Sequence, residues 1–227
     1  MSKHIMKSKV KIAASILSCD FANLADSIRK IENAGIDILH LDVMDGNFVD
    51  NLTFGPIIIS SIRKKTNMFF DAHLMVQSPK RHLPAFIKAG CNSITIHAES
   101  EGNTLEMLEY IKSHNIRAGL AINPQTEIKS ITQYLKALDT VLIMTVHPGS
   151  GGQAMLTEQA QKIPLLYQAI LEANAKTKIA VDGGINPQTL PLLDISKIGY
   201  IVVGSYLFQG DITLQAAKVR SYLDHKP

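Results

Sequence analysis

Cysteine is scarce in this chain. Only Cys19 and Cys91 occur among 227 residues, each with apolar neighbours and without CxxC spacing. That excludes a disulfide framework or a thiolate zinc site and points to small core residues in a reducing compartment. Charge is also sparse: Asp, Glu, Lys and Arg make up 19% of the chain, against 46% hydrophobic residues. A surface so lean in charge is expected to be covered partly by other subunits, so a homo-oligomer is expected. The net charge is only +3, and basic residues gather only at Lys3, Lys7, Lys9 and Lys11 and at Arg63-Lys64-Lys65. No basic stripe suited to nucleic acid results, although a slightly positive mouth would suit an anionic substrate.

Long apolar runs are missing too. None approaches the roughly 18 residues of a membrane span, and Met1 to Lys11 lacks the apolar core of a signal peptide. The expectation is a cytoplasmic protein with no membrane segment, a flexible basic leader over 1–10 and a single domain over 11–227. No glycine-rich dinucleotide turn follows the first strand, which argues against a doubly wound open sheet.

What the chain does contain is a regular alternation of two patterns. Short apolar runs predict strands at 11–17, 36–42, 68–74, 93–97, 117–122, 140–146, 178–182 and 200–203. Between them, helices are expected over 21–33, 56–65, 78–90, 103–114, 123–137, 157–173, from Asn186-Pro187 onward, and over 211–222. Asp20 is placed to cap the first helix and Gly35 to stop it, while Pro56, Pro79, Pro124 and Pro187 stand at helix starts. Eight strand–helix units of about 25 to 30 residues match a closed (β/α)8 TIM barrel. No linker is long enough to separate domains.

In such a barrel the working groups lie at the C-terminal ends of strands. Side chains two apart on a strand share a face, so His40, Asp42 and Met44 lie together, opposite Leu39, Leu41 and Val43. His73 and Met75 are in phase on the third strand, and Asp182 ends the seventh. Buried among aliphatics, such groups are costly unless paired or metal-bound. Two imidazoles and two carboxylates suit one divalent Zn, Mn, Fe or Co ion per subunit. His97 and Cys19 are set aside as packing or supporting groups, with Glu99 placed to orient a ligand histidine. Ser15, Met75 and Met144 complete the strand ends. The other side of the mouth is rich in glycine: Gly149, Gly151 and Gly152 around Ser150, then Gly183-Gly184, then Gly204-Ser205. Three such turns side by side predict a phosphate grip made of backbone N–H groups, with Ser205 opening a short extra helix.

The substrate expected from this layout is a small phosphorylated molecule whose other end chelates the metal. Asp42 and Asp182 come from strands five steps apart one way round the ring and three the other. They are expected to face two sides of one carbon, removing a proton from one face and returning one to the other.

The quoted motifs are His40-Leu41-Asp42-Val43-Met44-Asp45-Gly46, Asp71-Ala72-His73-Leu74-Met75, Pro148-Gly149-Ser150-Gly151-Gly152-Gln153 and Val181-Asp182-Gly183-Gly184-Ile185. With Ser15-Ile16-Leu17-Ser18 and Val203-Gly204-Ser205, they make the chain resemble the ribulose-phosphate 3-epimerase family along almost its whole length. The resemblance implies a ribulose-phosphate-binding barrel that interconverts D-ribulose 5-phosphate and D-xylulose 5-phosphate through an enediolate. It implies His40, Asp42, His73 and Asp182 as metal ligands and Asp42 and Asp182 as the acid–base pair. Met44, Met75 and Met144 would floor the site, with Ser15 and His73 near the substrate. Gly149, Ser150, Gly151, Gly152, Gly183, Gly184, Gly204 and Ser205 would hold phosphate. It further implies a dimer or hexamer. The chain departs from many relatives at Ala14, Asp50, His147 and Ser150, none of which is a metal or acid–base position. A six-carbon ketose phosphate epimerase, a metal-dependent aldolase and a non-catalytic phosphosugar-binding protein are the competing readings.

Overall fold

Side-chain alternation along the strands gives the molecule two apolar layers with a polar seam between strand ends. The computed structural model describes residues 10–225; residues 1–9 of the expected leader lie outside the described residues. Eight strands are present: β1 Lys11–Ser15, β2 Ile38–Met44, β3 Phe69–Met75 and β4 Ser93–His97, then β5 Arg117–Ile122, β6 Thr140–Met144, β7 Lys178–Asp182 and β8 Ile198–Val203. They run parallel and close into a barrel in sequence order, with β8 pairing back onto β1. Structure and expectation agree on the TIM barrel.

The α-helices are α1 Leu24–Asn33, α2 Pro56–Arg63, α3 Leu83–Lys88, α4 Thr104–Ser113, α5 Lys162–Glu172, α6 Ser205–Phe208 and α7 Ile212–His225. Outward residues of the strands pack beneath them. Leu39, Leu41 and Val43 of β2 join Ile28 and Ile31 of α1 and Ile59 and Ile62 of α2 in one buried apolar cluster. Each such side chain contributes about 1.5–3 kcal/mol on burial. A second, separate cluster fills the barrel itself, built from Ala13, Ile38, Ala121, Leu142, Met144, Ala180, Tyr200 and Val202. Polar inward residues lie among these: His40 pairs in register with Asp71, Asp42 with His73, and Met44 with Met75.

Several expected helices are corrected. The segment 123–137 holds no α-helix; after a turn at Asn123, residues Ile128–Ala137 form 3-10 structure. Ser130 and Thr132 donate their hydroxyls to the carbonyls of Glu127 and Lys129, competing with the α pattern. Asn186-Pro187 likewise opens no α-helix. Asn186 Oδ1 accepts from the Gln188 and Thr189 N–H groups in a tight turn, and Pro191 withholds a donor, leaving only 3-10 turns at Leu190–Leu192 and Ile195–Lys197. The first helix begins with a 3-10 turn, Phe21–Asn23, capped by Asp20, and α5 is preceded by 3-10 residues Thr157–Gln161. The first and sixth strands stop two residues earlier than expected, at Ser15 and Met144, whereas β2 runs on to Met44. Among the described residues no helix is long and apolar enough to cross a membrane.

Candidate active site

The site grows from the inward faces of β2 and β3. His40 and His73 are wholly buried, Asp42 nearly so, and Asp182 reaches in from the end of β7. His73 Nδ1 lies 3.0 Å from Asp42 Oδ1, and His40 Nε2 lies 3.3 Å from the same oxygen. Asp182 Oδ2 is 3.8 Å from each of those nitrogens. One donor atom from each of the four residues falls within 4.8 Å of all the others. Ser15, at the end of β1, donates its hydroxyl to Asp42 Oδ2 at 2.5 Å.

Each histidine is held from behind. His40 Nδ1 is 3.0 Å from Asp71 Oδ2, which also accepts from the Tyr200 hydroxyl at 2.9 Å. His73 Nε2 is 2.8 Å from His97 Nε2, and His97 Nδ1 is 3.0 Å from Glu99 Oε2. Glu99 in turn accepts from the Asn123 N–H at 2.9 Å and from the Thr126 hydroxyl.

Burial and neighbours drive the two aspartates in opposite directions. Burial works against ionisation at both. At Asp42 it is outweighed by the charge of His40 and by hydrogen bonds from His40 and His73, which hold the carboxyl far below its ordinary value. At Asp182 the negative charge of Asp42 adds to burial, and the pKa is pushed up to about 7. Burial alone would lower His40, yet the charges and hydrogen bonds of Asp42 and Asp71 raise it well above the usual imidazole range. His97 goes the other way, down to about 4, because burial dominates over its bond to Glu99.

Above the cluster opens a cavity of about 300 Å3. Met44, Met75 and Met144 line it together with Asp42, Asp182 and Ser15. All eight expected phosphate-side residues also line it: Gly149, Ser150, Gly151, Gly152, Gly183, Gly184, Gly204 and Ser205. Among the described residues no lysine or arginine does. The phosphate-side loops are braced by side chains: Gln153 donates to the carbonyls of His147 and Ser150 at 2.7 and 2.8 Å, and Asn51 to that of Gly149 at 3.2 Å. Thr145 donates to the Gly183 carbonyl at 2.6 Å. At Gly184, φ is +65° and a Cβ would stand 2.5 Å from the Met155 nitrogen, so only glycine lets these two loops meet.

The sequence profile of the ribulose-phosphate 3-epimerase family matches residues 11–208. The chain belongs to this family. It is 39% identical over 213 residues to the ribulose-phosphate 3-epimerase of Bacillus subtilis, covering 93% of this chain and 98% of that protein. Identity to the Chlamydia muridarum ribulose-phosphate 3-epimerase is 38% over 215 residues, covering 94% of each. The crystal structure of 3-keto-L-gulonate-6-phosphate decarboxylase from Vibrio cholerae superposes with a TM-score of 0.70 at 17% identity, covering 97% of this chain and 100% of that one. At that distance the likeness is one of fold. Family membership makes the chain an enzyme of the epimerase class.

The donor set fits a divalent cation. Two nitrogens and two oxygens converge in a buried pocket, and both imidazoles are gripped from behind by a hydrogen-bonded partner, as metal-ligating histidines commonly are. The supporting groups Asp71 and Tyr200 were not singled out from sequence, and His97 was set aside. Asp71 is in phase with His73 and His97 closes its own strand, so alternation offered a signal for both; nothing local offers one for Tyr200, 129 residues from Asp71.

Proposed function

We propose that the protein interconverts D-ribulose 5-phosphate and D-xylulose 5-phosphate by inverting C3, with Asp42 and Asp182 as the two acid–base groups. The observation that carries this reading is the opposed environment of those carboxyls in one buried cluster. At neutral pH Asp42 is ionised while Asp182 lies near its titration point, so one can accept a proton while the other holds one to give.

In one direction an ionised aspartate takes the C3 proton, and the C–H electron pair becomes the C2–C3 double bond of an enediolate. The other aspartate delivers its proton to the opposite face of C3. The electron pair returns to form the new C–H bond, and the carbonyl re-forms at C2. The aspartates end with their protonation exchanged and reset through solvent. His40, Asp42, His73 and Asp182 would hold one divalent ion, of Zn, Fe, Mn or Co type, which supplies positive charge opposite the enediolate oxygens. Ser15 fixes the Asp42 carboxylate through its 2.5 Å hydrogen bond. Met44, Met75 and Met144 surround the reacting carbons with thioethers that neither give nor take protons. The loops at 149–152, 183–184 and 204–205 would grip phosphate through backbone donors, consistent with a cavity that no lysine or arginine among the described residues lines.

Leu52 and Ile57 are exposed at 72% and 81%, and Ile58 beside them at 39%. An apolar edge of this kind supports the homo-oligomer expected from the low charge content; sedimentation of the purified protein tests it.

Incubation with ribulose 5-phosphate and, separately, allulose 6-phosphate in D2O tests the main reading. The expected result is xylulose 5-phosphate carrying one deuterium at C3, with slower or no turnover of the six-carbon substrate. Preferred turnover of allulose 6-phosphate would move the assignment to a hexose phosphate, and cleavage into two fragments would replace it with an aldolase.

A further inference from the structure

We propose that His97 and Glu99 are positioning residues that lock the tautomer of His73, so that its Nδ1 offers a lone pair to the cation. The proposal rests on the reading above that His40, Asp42, His73 and Asp182 hold a metal ion.

Two imidazole nitrogens at 2.8 Å, His73 Nε2 and His97 Nε2, can share only one hydrogen. Which ring supplies it is decided at the far end of the chain of contacts. Glu99 is a carboxylate and can only accept; one of its oxygens already takes the Asn123 N–H and the Thr126 hydroxyl. The other therefore receives a hydrogen from His97 Nδ1. Neutral His97 then has a bare Nε2, which accepts from His73 Nε2–H. With Nε2 holding its hydrogen, Nδ1, 3.0 Å from Asp42 Oδ1, is the nitrogen His73 can free for a cation.

The same logic holds on the neighbouring strand. His40 gives its Nδ1–H to Asp71, so Nε2 is the nitrogen left to face a cation, 3.4 Å from His73 Nδ1. Without an ion, hydrogens on these two nitrogens bind Asp42; a cation at the centre takes their place, and the lone pairs of both nitrogens and both carboxylates then face it. The two tethers differ in kind: His40 leans directly on a buried carboxylate, whereas His73 reaches its carboxylate only through a second imidazole. His97 is wholly buried and packed under Phe48, ring centroids 4.7 Å apart, which keeps water from replacing it.

The test uses metal-stripped protein. Two-bond 1H–15N correlations of the imidazoles read the tautomer of His73 directly, and cobalt(II) titration followed by visible absorption reads cation affinity. Wild type is expected to keep the hydrogen on His73 Nε2 throughout, while Nδ1, which faces Asp42, gives up its own when the cation binds. In His97→Leu the Nε2–H loses its acceptor, the tautomers mix, and cobalt affinity falls about 10- to 100-fold. His97→Gln, whose amide can accept from His73 and donate to Glu99, should recover the larger part of both signals, which a purely space-filling role for His97 would not produce. Far-UV circular dichroism checks folding. If His97→Leu does not fold, Glu99→Ala, at a partly exposed position, is read by the same two signals. A folded His97→Leu, or Glu99→Ala in its place, with a pure Nε2–H form and wild-type cobalt affinity overturns the proposal alone. Wild-type protein that takes up no cobalt overturns the metal reading, and the proposal with it.

Discussion

The two sides of the cavity are made from different parts of the polypeptide. On the β2–β3 side the chemistry is carried by side chains of regular strands, buried and fixed from behind by Asp71, Tyr200, His97 and Glu99. On the β6–β8 side it is carried by backbone in loops, shaped by glycine and braced by Gln153, Asn51 and Thr145. On the function proposed above, the first arrangement would place charge rigidly where bonds change, and the second would lay a neutral surface against the phosphate and follow it by small backbone movements. A single-atom change should therefore cost rate on one side, and binding or folding on the other.

The largest expected effect lies on the side-chain half. Asp182→Asn keeps the shape of the carboxyl and removes its proton chemistry, so turnover should fall by about 10²- to 10⁴-fold. Exchange of the C3 proton with D2O from one epimer is expected to survive, because Asp42 can still reach its own face. Measuring wash-in from ribulose 5-phosphate and xylulose 5-phosphate separately checks this. Turnover at the wild-type rate would remove Asp182 from the reaction.

Gly184→Ala asks the same question of the backbone half. The new methyl would stand 2.5 Å from the Met155 nitrogen and 2.9 Å from its Cα, at a φ of +65°. The loop carrying Met155 must move, at a cost of about 1–3 kcal/mol. Because that loop adjoins 149–152, KM for the sugar phosphate should rise by about tenfold to a hundredfold while kcat changes less. A fall in kcat at constant KM would break the distinction between the two sides.

The contrast also explains what could be read from the sequence. His40, Asp42, His73 and Asp182 stood out because alternating strands leave few reasons for a polar residue among Leu, Ile and Val. Strands β5 and β7 were legible residue for residue for the same reason. Where local chemistry competed, legibility failed. The proline after Asn123 and the one after Asn186 both read as helix starts, yet the side-chain oxygen of Asn186 and the hydroxyls of Ser130 and Thr132 capture backbone groups that an α-helix needs. Tyr200 could not be paired with Asp71 without knowing that β8 and β3 face each other across the barrel. Their 2.9 Å contact is a product of closure, invisible to any window of sequence.

A third prediction turns on charge. A cation held by Asp182 would favour its ionised form, and in the ion-free site burial and the charge of Asp42 push its pKa up to about 7. Protons and the cation therefore compete below about pH 7. Cobalt affinity should weaken by up to about tenfold for each pH unit through Asp182 below that value, on top of the loss through His40, whose raised pKa extends the dependence above it. Calorimetric titration in two buffers of different ionisation enthalpy would show about two protons released per ion bound at pH 6, one from Asp182 and one from His40. Release of a single proton would mean that Asp182 is already ionised or does not bind the ion.

The smallest expected effect is at Asp45, where the two kinds of construction join. Its Oδ1 accepts from the Asn47 and Phe48 N–H groups at 2.9 and 2.8 Å, and its Oδ2 from that of Gln77 at 2.8 Å. One carboxylate thereby ties the loop after β2 to the loop after β3 and seats Phe48 on His97. Although its modest burial works the other way, these bonds hold its pKa below the ordinary 3.8. A depressed carboxyl contributes stability above the unfolded value and loses it as pH falls through the folded one. Asp45→Ala should accordingly cost about 1–2 kcal/mol at pH 7, and the gap from wild type should narrow only below pH 3.8. Urea unfolding at pH 7 and pH 3 measures both ends. If the gap were equal at the two values, the loops would be held by packing of Phe48, and the carboxylate would be incidental to the join between strand chemistry and loop chemistry.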